Sequence, residues 1–126
     1  MSLISRGQAA LVRRQKLANG RKVVYTRGTE AVTVVAWPGQ SELTAATQDE
    51  TVIAWTARDY LFEASELAIA GTRLTPQEGD RIADAFEDGE ERVYELILPP
   101  GGGNPWRWSD LNQTTYRVHT KRVKAL

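Results

Sequence analysis

Apolar and polar positions alternate with a period of two along much of the chain, the pattern of strands with one face buried. The clearest case is Leu74 to Leu98. Thr75-Pro76 starts a turn and Glu78-Gly79-Asp80 finishes it. Arg81-Ile82-Ala83 begins a strand, Glu87-Asp88-Gly89 forms a tip, and Arg92 to Leu98 returns with Tyr94, Leu96 and Leu98 on one face and Glu95 on the other. Asp88-Gly89 supplies the positive φ angles that a tight hairpin turn needs. Upstream, Arg21 to Arg27 alternates Val23 and Tyr25 against Val24. Glu30 to Trp37 is a second strand, apolar on both faces and so covered on both, and Pro38-Gly39 is expected to end it.

Residues 40–50 are small and polar and read as a mobile loop, long for a hairpin connection. Thr51 to Glu63 fits either period. Its β-branched and aromatic residues favour a strand, with a kink or bulge expected at Arg58-Asp59. Ser65-Glu66-Leu67 is a single helical turn, followed by a turn at Gly71. Pro99 to Pro105 is a flexible connector, Trp106-Arg107-Trp108 an extended segment, and Thr114 to Val123 the last strand. Only residues 3–18 follow a helical period, with Leu3, Ile4, Gly7, Leu11 and Val12 near one face and Asn19-Gly20 as the stop. Such a helix is marginal alone and must lie on the barrel or on a neighbour. The fold class is therefore mainly β: a small antiparallel β-barrel or sandwich over residues 21–123 with an N-terminal α-helix over 1–19, one domain in 126 residues. The four tryptophans and four tyrosines are expected to fill much of the core.

Charge changes this picture through its distribution. Sixteen basic and sixteen acidic side chains cancel. Yet residues 1–29 carry seven basic groups and no acid, residues 30–110 carry five basic groups and all sixteen acids, and residues 111–126 carry four basic groups and no acid. Such segregation points to a charged partner or to another copy, the basic part of one chain meeting the acidic part of the next in a head-to-tail contact that closes into a ring. The absence of cysteine excludes disulfides, zinc-thiolate sites and thiol catalysis. No apolar run approaches the roughly 20 residues of a membrane span, so no membrane partner is expected.

Candidate chemistry is sparse. His119, the single histidine, shares a strand face with Arg117 and Lys121, which would repel a metal cation, and no neighbouring acid is evident to orient the imidazole. It reads as a solvated strand residue. Asp84, Glu87, Asp88, Glu90 and Glu91 do not match the spacing of a calcium loop. Gly101-Gly102-Gly103 lacks the lysine and helix start of a phosphate loop. Trp106 and Trp108, with Arg107 between them, suit base stacking but equally a core or subunit interface. No nucleophile–base pair, metal set or cofactor motif is visible, so no enzyme and no cofactor is expected.

The ordered set of segments resembles the head–tail joining, or head-closure, proteins of long-tailed phages and prophages. The segments are VVYTRGTEAVTV, ARDYLFEASEL with Arg58-Asp59-Tyr60, TPQEGDRI from Pro76 to Ile82, VYELI, and WRWSDLNQTTYRVHTKR from Trp106 to Arg122. The resemblance implies a β-barrel that assembles as a ring beneath the portal and joins the DNA-filled head to the tail. It implies DNA passing through the lumen without sequence-specific binding, portal or adaptor and tail proteins as partners, the virion as location after assembly in the host cytoplasm, and no catalytic residues. Under that reading Leu3, Ile4, Leu11, Val12, Trp106, Arg107 and Trp108 are the expected subunit or portal interface. Asp84, Glu87, Asp88, Glu90 and Glu91 are the expected acids of a channel wall that repels phosphates. The competing readings are a small-barrel nucleic-acid-binding module and a tail-terminator or tail-tube protein.

Overall fold

The computed structural model describes residues 20–46, 52–86, 89–99 and 103–123. The helix expected over 1–19, with Leu3, Ile4, Leu11 and Val12, lies outside these residues. Nine strands are present among them: β1 (Arg21–Arg27), β2 (Glu30–Ala46), β3 (Val52–Glu63), β4 (Ala68–Ile69), β5 (Thr72–Arg73), β6 (Arg81–Ala85), β7 (Glu91–Leu96), β8 (Trp106–Trp108) and β9 (Thr115–Val123), with a 3-10 turn at Ala64–Glu66. The main sheet runs β3-β2-β1-β6-β7-β9-β8, and β3 also pairs with β9. That extra pairing closes six antiparallel strands into a barrel, as expected. β8 is the seventh strand of this sheet and the only one of them with a single neighbour.

The last strand makes the closure possible. One edge of β9 pairs with β3 over Thr115 to Thr120. Its other edge is shared, β8 taking Tyr116 to Val118 and β7 taking Thr120 to Val123. The changeover falls on His119, whose N–H donates to the Pro105 carbonyl at 2.8 Å while its carbonyl accepts from Ile97 N–H at 2.9 Å.

Alternation decides what fills the barrel. Val23 and Tyr25 of β1 point inward and are buried, whereas Val24 remains 39% exposed. Val34 and Ala36, Tyr60 and Phe62, Ile82, Leu96, and Tyr116 and Val118 complete the interior. The aromatic core is tyrosine rather than tryptophan. All four tyrosines are buried, Trp106 and Trp108 are only partly so, and Trp37 is buried on the outer face of the barrel. Tyrosine suits these sites because a ring packs in the middle while its hydroxyl reaches the polar barrel end.

Two expectations about β2 and β3 fail together. Pro38-Gly39 does not end β2, and residues 40–46 are not a loop, because the strand continues to Ala46. The Val35 N–H, on the β3 side, is taken by Glu66 Oε1 at 3.0 Å. Alternation therefore turns the nitrogen of Pro38 to the opposite edge, which β1 leaves at Ala36, and a proline costs no ladder bond there. No bulge occurs at Arg58-Asp59 either: the register runs unbroken from Ala36↔Phe62 through Gly39↔Asp59 to Ala46↔Val52. At the expected turns within the described residues, Ala70 and Gly71 take positive φ between β4 and β5 and Gly79 does so before β6, and β6 and β7 pair from Arg81↔Glu95 to Ala85↔Glu91; Glu87 and Asp88 of the expected tip lie outside these residues.

Candidate functional site

Three aspartates lie inside the protein, and each is held by an arginine and a hydroxyl. Asp80 caps one end of the barrel. It accepts from the Tyr25 hydroxyl, from Arg27 Nη2 at 2.8 Å and Nε at 3.0 Å, and from the Gln77 N–H at 3.0 Å. Tyr25-x-Arg27-Gly28 and Gly79-Asp80-x-Ile82 are thus two halves of one clamp between β1 and the start of β6. Asp84, one helical-turn count further along but on a strand and so roughly 13 Å away, sits at the other end. There it accepts from Arg21 Nε and Nη2, both at 2.6 Å, and from the Tyr60 hydroxyl at 2.7 Å, and Arg58 lies 3.9 Å off.

The third aspartate, Asp59, is on the outer face of β3. It accepts from Ser41 Oγ at 2.5 Å, Arg117 Nε at 2.6 Å and His119 Nδ1 at 2.9 Å. The carboxylate has no hydrogen to give, so His119 carries its proton on Nδ1. Arg117 then bridges to the Gln40 carbonyl at 2.8 Å. Gly39 is needed beneath it: a Cβ there would stand 2.9 Å from Arg117 Nη2 and 3.0 Å from Leu61 Cδ1.

The electrostatics follow from these contacts. Burial alone pushes the Asp59 carboxyl up, but the hydrogen bonds from His119, Ser41 and Arg117 outweigh it and hold the group below the usual carboxylate range. Burial and the bond to Asp80 push the Tyr25 phenol well up, and burial with the bond to Asp84 does the same for Tyr60. The bonds to Asp84 and Asp80 raise Arg21 and Arg27 in turn.

Several expectations change. His119 is not solvated: it is 4% exposed, and an acid does orient it, Asp59 lying directly opposite across the β3–β9 ladder. Ser41, Asp59 and His119 nevertheless do not form a nucleophilic triad. The carboxylate stands between the hydroxyl and the imidazole, whereas activation needs the imidazole in the middle. Asp84 cannot belong to a channel wall, because it is fully buried and neutralised by Arg21. Glu87 and Asp88 lie outside the described residues. Glu90 and Glu91 are exposed beside the hairpin tip, Glu90 bonded to Arg122 at 2.6 Å.

Part of the segregated charge, expected from the sequence to meet a second molecule, is paired within the chain. Arg21–Asp84, Arg27–Asp80, Arg117–Asp59 and Arg122–Glu90 each join a basic terminal segment to the acidic middle. The strands that carry the basic residues, β1 and β9, flank the strands that carry the acids.

Trp106 and Trp108 turn inward. Trp108 stacks on Tyr116 with centroids 4.8 Å apart, and Trp106 meets both rings edge-on at 5.1 and 5.0 Å. One ring face that a base would need is therefore occupied. Arg107 points the other way and reaches Ser41 Oγ at 3.4 Å.

Two surface features remain. Beyond Gln40 and Arg58 neither edge of the β2–β3 ribbon has a strand partner among the described residues, so the pairs from Ser41↔Ala57 to Ala46↔Val52 form an arm roughly 20 Å long, whose first pair is still buried against the barrel. An open groove of about 710 Å³ runs beside β7 and β9, lined by Arg58, Glu78, Tyr94 to Leu98 and Thr120 to Arg122. These are the parts of an assembly unit: a barrel braced by buried ion pairs, an arm, a groove and one open sheet edge. Comparison with curated proteins gives no match. The sequence model of the phage head-tail joining protein matches residues 1–126, the whole chain, which therefore belongs to the phage head-tail joining protein family.

Proposed function

We propose that this chain is a non-enzymatic ring subunit that sits beneath the portal, joins the DNA-filled head to the tail, and leaves a lumen through which DNA passes. The family match over the whole chain carries this reading, and the architecture supports it. The acidic side chains that would be candidates for catalysis, Asp59, Asp80 and Asp84, are spent on holding the barrel together. Glu90 and Glu91, with Glu87 and Asp88 of the same tip, face the channel and keep DNA from adhering, since an acidic wall repels phosphates. Leu3, Ile4, Leu11 and Val12, together with the β8 edge at Trp106, Arg107 and Trp108, meet the neighbouring subunit or the portal. The portal or adaptor and the tail proteins are the partners, assembly takes place in the host cytoplasm, and the finished protein resides in the virion.

The test is electron microscopy of particles produced without this chain. Filled heads and free tails, unjoined, are expected, with joining restored by the supplied protein. Complete tailed particles in its absence would refute the assignment.

A further inference from the structure

We infer that the tip of the β8–β9 hairpin of one copy docks on the outer wall of β1, β6 and β7 of the next, with Leu111 as its anchor. This deepens the ring reading and rests on it. Among the described residues two large apolar side chains remain exposed, Leu111 at 83% and Val24 at 39%. Leu111 does not hang on a loose loop. Asp110 Oδ1 accepts from the Thr114 and Thr115 N–H groups, both at 3.0 Å, and the Asp110 carbonyl accepts from Gln113 N–H at 3.3 Å, with Gln113 held at a φ of 56°. A side chain whose backbone is fixed beforehand loses little freedom on binding, so its burial keeps most of the hydrophobic gain.

Val24 is the centre of the receiving surface. Register sets Thr33, Val24, Ala83, Val93 and Val123 side by side across β2, β1, β6, β7 and β9. Alternation turns this row outward, since Val23, Ile82 and Tyr94 beside it are buried. Thr33 and Val24 are exposed and the other three half-buried, which leaves an uncharged band roughly 20 Å long. The next outward row, Thr26, Arg81, Glu95 and Lys121, bounds it, and there Arg81 and Glu95 pair with each other at 3.5 Å. An apolar centre beside a rim of mixed sign suits a protein and not a nucleic acid.

Strand order says which protein. β9, which carries the tip, is three strands from β1 whether counted through β7 and β6 or through β3 and β2. Leu111 and Val24 therefore belong to opposite sides of one barrel, and neither covers the other within a chain. A ring of identical copies needs two different surfaces so placed, one towards each neighbour, and the contact then repeats until the ring closes.

The chain has no cysteine, which permits a clean test. Particles are assembled with a Val24→Cys/Leu111→Cys double variant, treated with a short bismaleimide, and run on a denaturing gel, with each single variant as control. The inference expects a ladder of multimers of this chain alone from the double variant and none beyond a dimer from either single one. Thr33→Cys/Asn112→Cys, which leaves both apolar side chains in place, is the second pair, used if the first does not join heads to tails. Separately, Leu111→Asp should keep the parent's melting temperature, because the side chain faces solvent. It should lower joining about tenfold or more at a given subunit concentration, the factor that one buried leucine implies. Joined particles that contain several copies of this chain, none cross-linked by a pair that joins, would overturn the contact and leave the ring standing. So would a Leu111→Asp chain that joins as well as the parent, or cross-linking to a different virion protein. A single copy per joined particle, counted by quantitative mass spectrometry, would overturn the ring reading itself.

Discussion

Removing the Asp59 carboxylate should be among the most damaging single changes to this protein. Its three donors are themselves withdrawn from water: Ser41 is 8% exposed, the His119 side chain 5% and that of Arg117 20%. Asp59→Ala leaves the Ser41 hydroxyl and His119 Nδ1 without an acceptor, at about 1–3 kcal/mol each, and leaves Arg117 a partly buried charge without its counter-ion. Breaking a buried pair from one side typically costs about 3–5 kcal/mol, a large share of the roughly 5–15 kcal/mol that holds a domain folded. Asp59→Asn keeps the shape but removes the charge that Arg117 pairs with and leaves one acceptor oxygen in place of two, so it too should destabilise.

The charge adds a pH signature. The folded pKa of Asp59 is depressed, so its contribution is fully present above the unfolded value of about 3.9. It is lost as pH falls through the lower folded value. Urea unfolding followed by tryptophan fluorescence, repeated from neutral pH into acid, measures both effects. The variants should unfold at lower denaturant at neutral pH, and the gap from the parent should narrow in acid. A loss below about 1 kcal/mol at neutral pH, or a gap that stays constant into acid, would refute the clamp as described.

Gly39→Ala should destabilise through crowding, because the new methyl meets an Arg117 guanidinium pinned by Asp59 and Gln40; about 1–3 kcal/mol is expected for overpacking, read as a lowered melting temperature. Tyr25→Phe removes the hydroxyl donor to Asp80 and should cost about 1.5–3 kcal/mol, the range for a hydrogen bond to a charged group, in the same unfolding assay. Because Tyr25 and Tyr60 are both raised, the stability they contribute is complete below about pH 10 and declines as pH rises towards the folded values. A spectrophotometric titration should show these two phenols still protonated until the protein unfolds in alkali. Replacing residues 43–55 by Asn-Gly, which closes the Glu42↔Thr56 pair with a two-residue turn, should leave the barrel's melting temperature within a few degrees.

The strands were legible in the sequence because alternation is local: Val23 and Tyr25 against Val24, or Tyr94 and Leu96 against Glu95, need no knowledge of their neighbours. The buried acids were not legible, because what makes Asp80 interior is Tyr25 and Arg27, more than fifty residues away in the chain. One signal was available. Asp84 follows Ile82 at a spacing of two and so shares its inward phase, which marks it as a core position rather than a surface acid. Pro38-Gly39 misled for a related reason. Both residues are ordinary turn formers, but here one sits on an open edge and the other makes room for Arg117, and neither circumstance can be seen without the register. Among the segregated charges, Arg21, Arg27, Arg117 and Arg122 find acids within the same chain, which the sequence alone did not show.

Because β9 touches β3, β7 and β8, the barrel has no closed form until β9 is in place. A nascent chain carries Asp59 without Arg117 or His119, and a β3 edge without its mate. Closure is therefore governed by contacts between distant parts of the sequence, which favours a slow last step in folding.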